Sequence, residues 1–140
     1  MNFKVRFGQV EAAGWLYMPF YFDFISAGIE RFFSLYAIPH EQLIKRKMIP
    51  YAPVLMECRF HAPARYGDDV ELCINVLDVG TKSITMRYNF LLQKEQKLLM
   101  SCKMVHVLVN HSGKAIKLPE KIRNTLRKMA QPTPKWGQHR

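Results

Sequence analysis

The chain is short of the residues and runs that mark several common functional classes, and each shortage excludes something. Its three cysteines, Cys58, Cys73 and Cys102, never fall at CxxC spacing, which rules out a zinc ribbon or dithiol redox motif. Each sits in an apolar, strand-like run, and buried free thiols in a reducing, cytoplasmic setting are the expectation. The five histidines never pair at i, i+4, so no metal is expected either. Glycine is scarce, seven in all, and none forms a GxGxxG, P-loop or GxSxG pattern. No apolar run approaches the roughly 20 residues that span a bilayer, so no membrane insertion is expected. Residues 1–6 carry no signal-peptide apolar region.

Acidic residues are the other shortage. Eleven Asp and Glu face 21 Lys and Arg, a formal net charge of +10. Such a balance selects an acidic partner. Nucleic acid, an anionic membrane surface, coenzyme A phosphates and an acidic carrier protein all qualify. No RNP-like, KH or helix-turn-helix pattern is present, and the strand aromatics alternate as core residues do, so no nucleic-acid partner is expected. Much of the excess lies in Lys45–Lys47 and between Lys114 and Lys128, where part of it can be a solvated face.

What is there suits one ordinary domain. The 140 residues are 49% hydrophobic, enough to build a core without metal or disulfide staples. Residues 1–130 read as a single domain, and residues 131–140, with two prolines, as a flexible tail. Phe3, Val5 and Phe7 alternate with Lys4 and Arg6, which predicts a half-buried strand over 2–7. Tyr21, Ile25, Ile29, Phe32, Phe33 and Tyr36 recur at helical spacing and predict a long helix from about 20 to 36 that Pro39 stops. A short helical turn is expected near 40–47. Strands are expected at 54–61, 70–79, 83–92 and 98–110, and a closing helix at 120–130, with Ile122, Leu126 and Met129 inward. Several long antiparallel strands cannot bury a face alone, and the one long apolar helix is the obvious cover. The fold class is therefore α+β.

The most informative stretch is residues 5–21, VRFGQVEAAGWLYMPFY. A strand ends near Gly8, a carboxylate follows at Glu11, Gly14 turns the chain, and an aromatic segment runs into the long helix. A carboxylate beside a helix N-terminus, whose free N–H groups can bind an oxyanion, suits acyl transfer. Phe7, Gly8, Gly14, Leu16, Tyr17, Pro19 and Tyr21 match in register the signature of the 4-hydroxybenzoyl-CoA thioesterase-like family of hotdog-fold proteins. Glu11 stands where that signature has Asp, and Phe20 where it has Asn. FHAPARYGD at 60–68, KMVHVLVN at 103–110 and KAIKLP at 114–119 resemble further family segments in the same order.

The resemblance implies a hotdog fold, an antiparallel sheet wrapped around one long central helix. It implies an acyl-CoA or acyl-carrier-protein thioesterase working as a homodimer, with dimers of dimers in some relatives and the active site between subunits. Coenzyme A would enter only as part of the substrate. By carry-over, Glu11 is the nucleophile or general base, Gly14 shapes the loop, and the backbone N–H of Met18 polarises the thioester carbonyl. Tyr17, Phe20 and Tyr21 line the acyl pocket, and Lys82, with Arg59 and Arg65, meets the nucleotide phosphates. Asp23 and Glu30 are reserve carboxylates on the helix. The alternative is a catalytically weakened hotdog protein that binds an acyl-CoA, an acyl chain or a partner protein, favoured by the replacements at 11 and 20.

Overall fold

A computed structural model describes residues 1–131; the expected tail lies, from residue 132 on, outside the described residues. The order is β1 (Asn2–Lys4), a 3-10 turn (Phe7–Gln9), α1 (Met18–Tyr36), α2 (His40–Lys45), β2 (Ile49–Phe60), β3 (Asp69–Val79), β4 (Ser83–Leu92), β5 (Lys97–Val109), β6 (Ala115–Ile116) and α3 (Glu120–Met129). One antiparallel sheet runs β1-β3-β4-β5-β2, with β6 added to β5. The predicted first strand stops at Lys4, because the chain turns through the 3-10 segment before it can continue in the sheet.

Helix α1 lies across one face of this sheet. Tyr21, Ile25, Gly28, Phe32 and Phe33 are its buried positions, at steps of three and four, so one stripe meets the strands. Seven of its residues are aromatic, each a few tenths of a kcal/mol worse than alanine in a helix. Burial outweighs that, at roughly 2 kcal/mol for each large apolar side chain removed from water. Gly28 permits a close approach: a Cβ there would lie 2.8 Å from Ile74 Cδ1 and 3.0 Å from Leu72 Cδ2. The inner face of β4 is Ile84, Met86, Tyr88 and Phe90, all fully buried, which is the alternation the sequence predicts.

A polar network sits inside the apolar core. His106 on β5 is fully buried, with Nδ1 3.0 Å from Tyr51 O and Nε2 2.8 Å from the Tyr88 hydroxyl. A carbonyl can only accept, so Nδ1 carries the proton and Nε2 accepts from Tyr88. Tyr51 holds a left-handed backbone (φ 44°) within a register shift of β2. Its hydroxyl donates to Ile38 O at 2.9 Å and accepts from Ile38 N at 3.0 Å, and its ring stacks on Phe33 at 3.6 Å.

Two expectations change here. Cys58 and Cys102 are not free thiols: they form a disulfide between β2 and β5. They stand directly opposite in register, 4.1 Å apart at Cα, a neighbourhood that linear spacing does not reveal. Cys73 is free and half-buried. The cysteines thus give no argument for a reducing compartment. Second, β2 begins at Ile49 rather than 54 and is largely exposed. It forms an edge of the sheet, which is why it accommodates Pro50 and Pro53, and Val54, Leu55, Met56 and Phe60 remain open to solvent. Among the described residues no helix is long and apolar enough to cross a membrane.

Candidate active site

The loop between the 3-10 turn and α1 is a tight hairpin closed on itself. Val10 bridges Leu16, Glu11 N–H donates to Trp15 O at 2.8 Å, and Gly14 N–H donates to Glu11 O at 2.9 Å. Gly14 turns the chain with φ +81°, a conformation glycine adopts without Cβ strain. The Glu11 carboxylate folds back over this turn. Its Oε1 accepts from Ala13 N at 2.9 Å and Trp15 N at 3.0 Å.

The far arm of the hairpin sets the start of the long helix. Leu16 N–H donates to Ala64 O at 2.7 Å and Tyr17 N–H to Gln9 O at 2.8 Å, while the buried Gln9 side chain accepts from Arg6 N at 2.9 Å. Met18 is the first residue of α1, Pro19 next to it has no N–H, and Phe20 N–H turns back to Tyr17 O at 3.0 Å. Among the described residues nothing accepts from Met18 N–H. It is therefore the free donor at the positive end of the helix dipole.

A cleft of about 560 Å³ opens beside this helix end. Glu11, Trp15, Leu16, Tyr17, Met18 and Tyr21 form one wall, and Phe60, His61, Ala62 and Pro63, from the end of β2, form the other. The walls are joined by the Tyr21 ring, whose edge contacts Phe60 at 5.5 Å and Phe90 at 5.1 Å. Burial pushes the Tyr21 phenol up, against a backbone hydrogen bond at Ala64 that lowers it, with Asp68 adding to the rise. Chemically the cleft joins an apolar bed, one free amide donor and two groups of acid–base type, Glu11 and His61.

The structure thus brings Glu11, Met18, Tyr17 and Tyr21 together, with Gly14 at the turn beneath them. Phe20 goes elsewhere, packing against the core rather than lining the cleft. Arg65 stays near, bridged to Trp15, with its N–H on Asp68 Oδ2 at 2.8 Å. Arg59 lies on β2 opposite Ser101. Lys82 is remote within the chain: it precedes Ser83, seven residues along β4 from Phe90, a distance of about 24 Å along a strand. The reserve carboxylate Asp23 is exposed on α1 and does not line the cleft. The wall from β2 escaped sequence reading. FHAP at 60–63 reads as the start of a family-like segment that ends a strand, without a place in the site, and its meeting with residues 11–21 is a tertiary event. Among the described residues no three His, Cys, Asp or Glu gather as a metal site.

No curated protein matches the chain by sequence. Solved structures do match it by shape. A gentisyl-coenzyme A thioesterase superposes with a TM-score of 0.78 at 24% identity, covering 88% of this chain and 98% of that one. A 1,4-dihydroxy-2-naphthoyl-CoA thioesterase from Synechocystis gives 0.81 at 17%, over 94% and 97%. A Staphylococcus aureus protein in complex with CoA gives 0.86 at 12%, over 99% and 89%. At these identities the likeness is one of fold, the hotdog arrangement that the sequence predicts. A family model described as the Thioesterase-like superfamily matches residues 5–126. With that match spanning most of its length, the chain belongs to the Thioesterase-like superfamily.

Proposed function

We propose that the protein hydrolyses the thioester of an acyl-coenzyme A, or of an acyl carrier protein, to free acid and thiol. The observation that carries this reading is an apolar cleft lined by Glu11 and by Met18, the first residue of α1. The acyl group lies among Tyr17, Met18, Tyr21 and Phe60. The Met18 N–H receives the carbonyl oxygen and stabilises the charge that develops there. Glu11, with Oε2 not engaged by the loop amides, attacks the carbonyl carbon or takes a proton from water that does so. No resident cofactor enters this scheme.

The working unit in this reading is a homodimer joined through β2, whose open edge and exposed Val54, Leu55 and Met56 would otherwise invite uncontrolled strand pairing. Antiparallel pairing about a two-fold axis at β2 sets the Lys45–Lys47 end of one copy beside the Phe60 end of the other, where coenzyme A phosphates need cations. A second reading, an acyl-CoA-binding protein without turnover, is favoured by the two loop amides that already hold Glu11 Oε1.

Thiol release from a panel of short, long and aromatic acyl-CoAs decides between them. Glu11→Gln keeps an oxygen for the loop amides but loses the charge, and a fall in kcat of about 10² or more is expected. Tight acyl-CoA binding with no thiol release by the wild-type protein would establish the binding reading instead.

A further inference from the structure

We propose that His61 gives the proton to the departing sulfur in this cleft, an inference that rests on the thioesterase reading above. His61 lines the same cleft as Glu11 and Met18, from the opposite wall. Its segment is anchored to β5: His61 N–H and Ala62 N–H both donate to Leu99 O, at 2.8 and 3.1 Å. Beside it the Phe60 ring braces Tyr21. The side chain is exposed, and no described residue hydrogen-bonds its ring. Solvent can therefore reload it between turnovers.

The lining offers few alternatives for this role. Tyr21 is buried with its phenol pushed up by that burial. Glu11 is turned toward its own loop through Oε1 and is already engaged on the carbonyl side, as nucleophile or as base for the attacking water. Imidazole is the side chain most often used to give and take a proton in general acid–base catalysis. As the C–S bond breaks, its electron pair goes to sulfur, and the imidazolium N–H proton follows to give the free thiol. The imidazole then regains a proton from the attacking water, either directly or through Glu11. Atoms and charge balance without any further reactant.

Leaving-group dependence tests this. Two thioesters of one acyl group are compared, an alkyl thioester of coenzyme A and a 4-nitrothiophenyl thioester whose thiolate departs without a proton. In His61→Ala and His61→Gln, kcat on the alkyl thioester should fall about 10²-fold, with KM nearly unchanged. The same variants should lose less than about threefold on the nitrothiophenyl thioester, since its leaving group needs no acid. Equal losses on both substrates, or no loss on either, would overturn the assignment, because a residue that only shapes the cleft cannot distinguish leaving groups. A wild-type protein that releases thiol from neither substrate would instead overturn the thioesterase reading itself.

Discussion

Acidification should weaken this fold through a buried histidine, His106. It is fully buried, and its imidazole is lowered to about 4, mainly because burial disfavours the charged ring; the Tyr51 carbonyl opposes that shift, and His40 adds to it. The unfolded chain exposes an ordinary histidine with a pKa near 6.5. Between pH 6.5 and 4 the unfolded state therefore binds more protons than the folded one, and stability falls as pH falls. The contribution is fully present above pH 6.5 and is lost through that window. A separation of about 2.5 units is worth at most about 3 kcal/mol, and about 2–3 kcal/mol of it is lost between pH 7 and 4.5. Against a urea m-value of about 1.5 kcal/mol/M, that lowers the unfolding midpoint by about 1–2 M.

The control is His106→Gln, which offers an N–H and a C=O to replace the two imidazole contacts but does not titrate. Urea unfolding of both proteins at pH 7 and 4.5 gives four free energies. Groups remote from position 106 cancel in the difference, and His40 is the neighbour coupled to it. The wild type should lose about 2–3 kcal/mol more than the variant on acidification. Parallel losses in the two proteins would refute the reasoning, since they would mean that His106 charges as readily in the fold as in the unfolded chain.

Two further outcomes follow from packing. Gly28→Ala gains about 1 kcal/mol of helix propensity but places a Cβ against Ile74 Cδ1 and Leu72 Cδ2, at a cost of about 1–3 kcal/mol. A net loss of about 1 kcal/mol in thermal or urea unfolding is expected, and a stabilised variant would show that the helix can ride higher on the sheet than its contacts imply. Leu55→Asp puts a charge at the centre of the exposed β2 edge. Sedimentation velocity should show the wild-type dimer reduced to monomer with thiol release reduced alongside, whereas a monomeric wild type would remove β2 as the joint.

The parts of the fold legible in the sequence are those where one local period decides the outcome. The 3-and-4 spacing of apolar residues fixed α1, and strict alternation located β4 at 83–92, the bounds it has in the structure. Where a partner strand decides, local reading failed. Pro50 and Pro53 look like breakers in isolation, yet an edge strand carries them because its outer N–H groups have no ladder to complete. Cys58 and Cys102, with a sequence separation of 44, become neighbours only through the register of β2 on β5. The site divides in the same way. Its first wall is one continuous segment and was readable as a motif; its second wall, Phe60 to Pro63, reaches the cleft through sheet order alone.

In the proposed reading the same distinction bears on the glutamate at position 11. A carboxylate at the start of a hairpin has two demands on it, the amides of its own turn and the cleft beyond. Oε1 meets the first demand at Ala13 and Trp15. The backbone of that turn continues through Leu16 and Tyr17, whose N–H groups are fixed to Ala64 O and Gln9 O, directly into Met18. The carboxylate and the Met18 N–H are thus two ends of one hydrogen-bonded segment, which the Leu16 N–H to Ala64 O contact ties to the rest of the fold. Glu11→Gln, which keeps an oxygen for the Ala13 and Trp15 amides while removing the charge, therefore tests the proposed chemistry apart from the hold on the turn, as truncation to alanine does not.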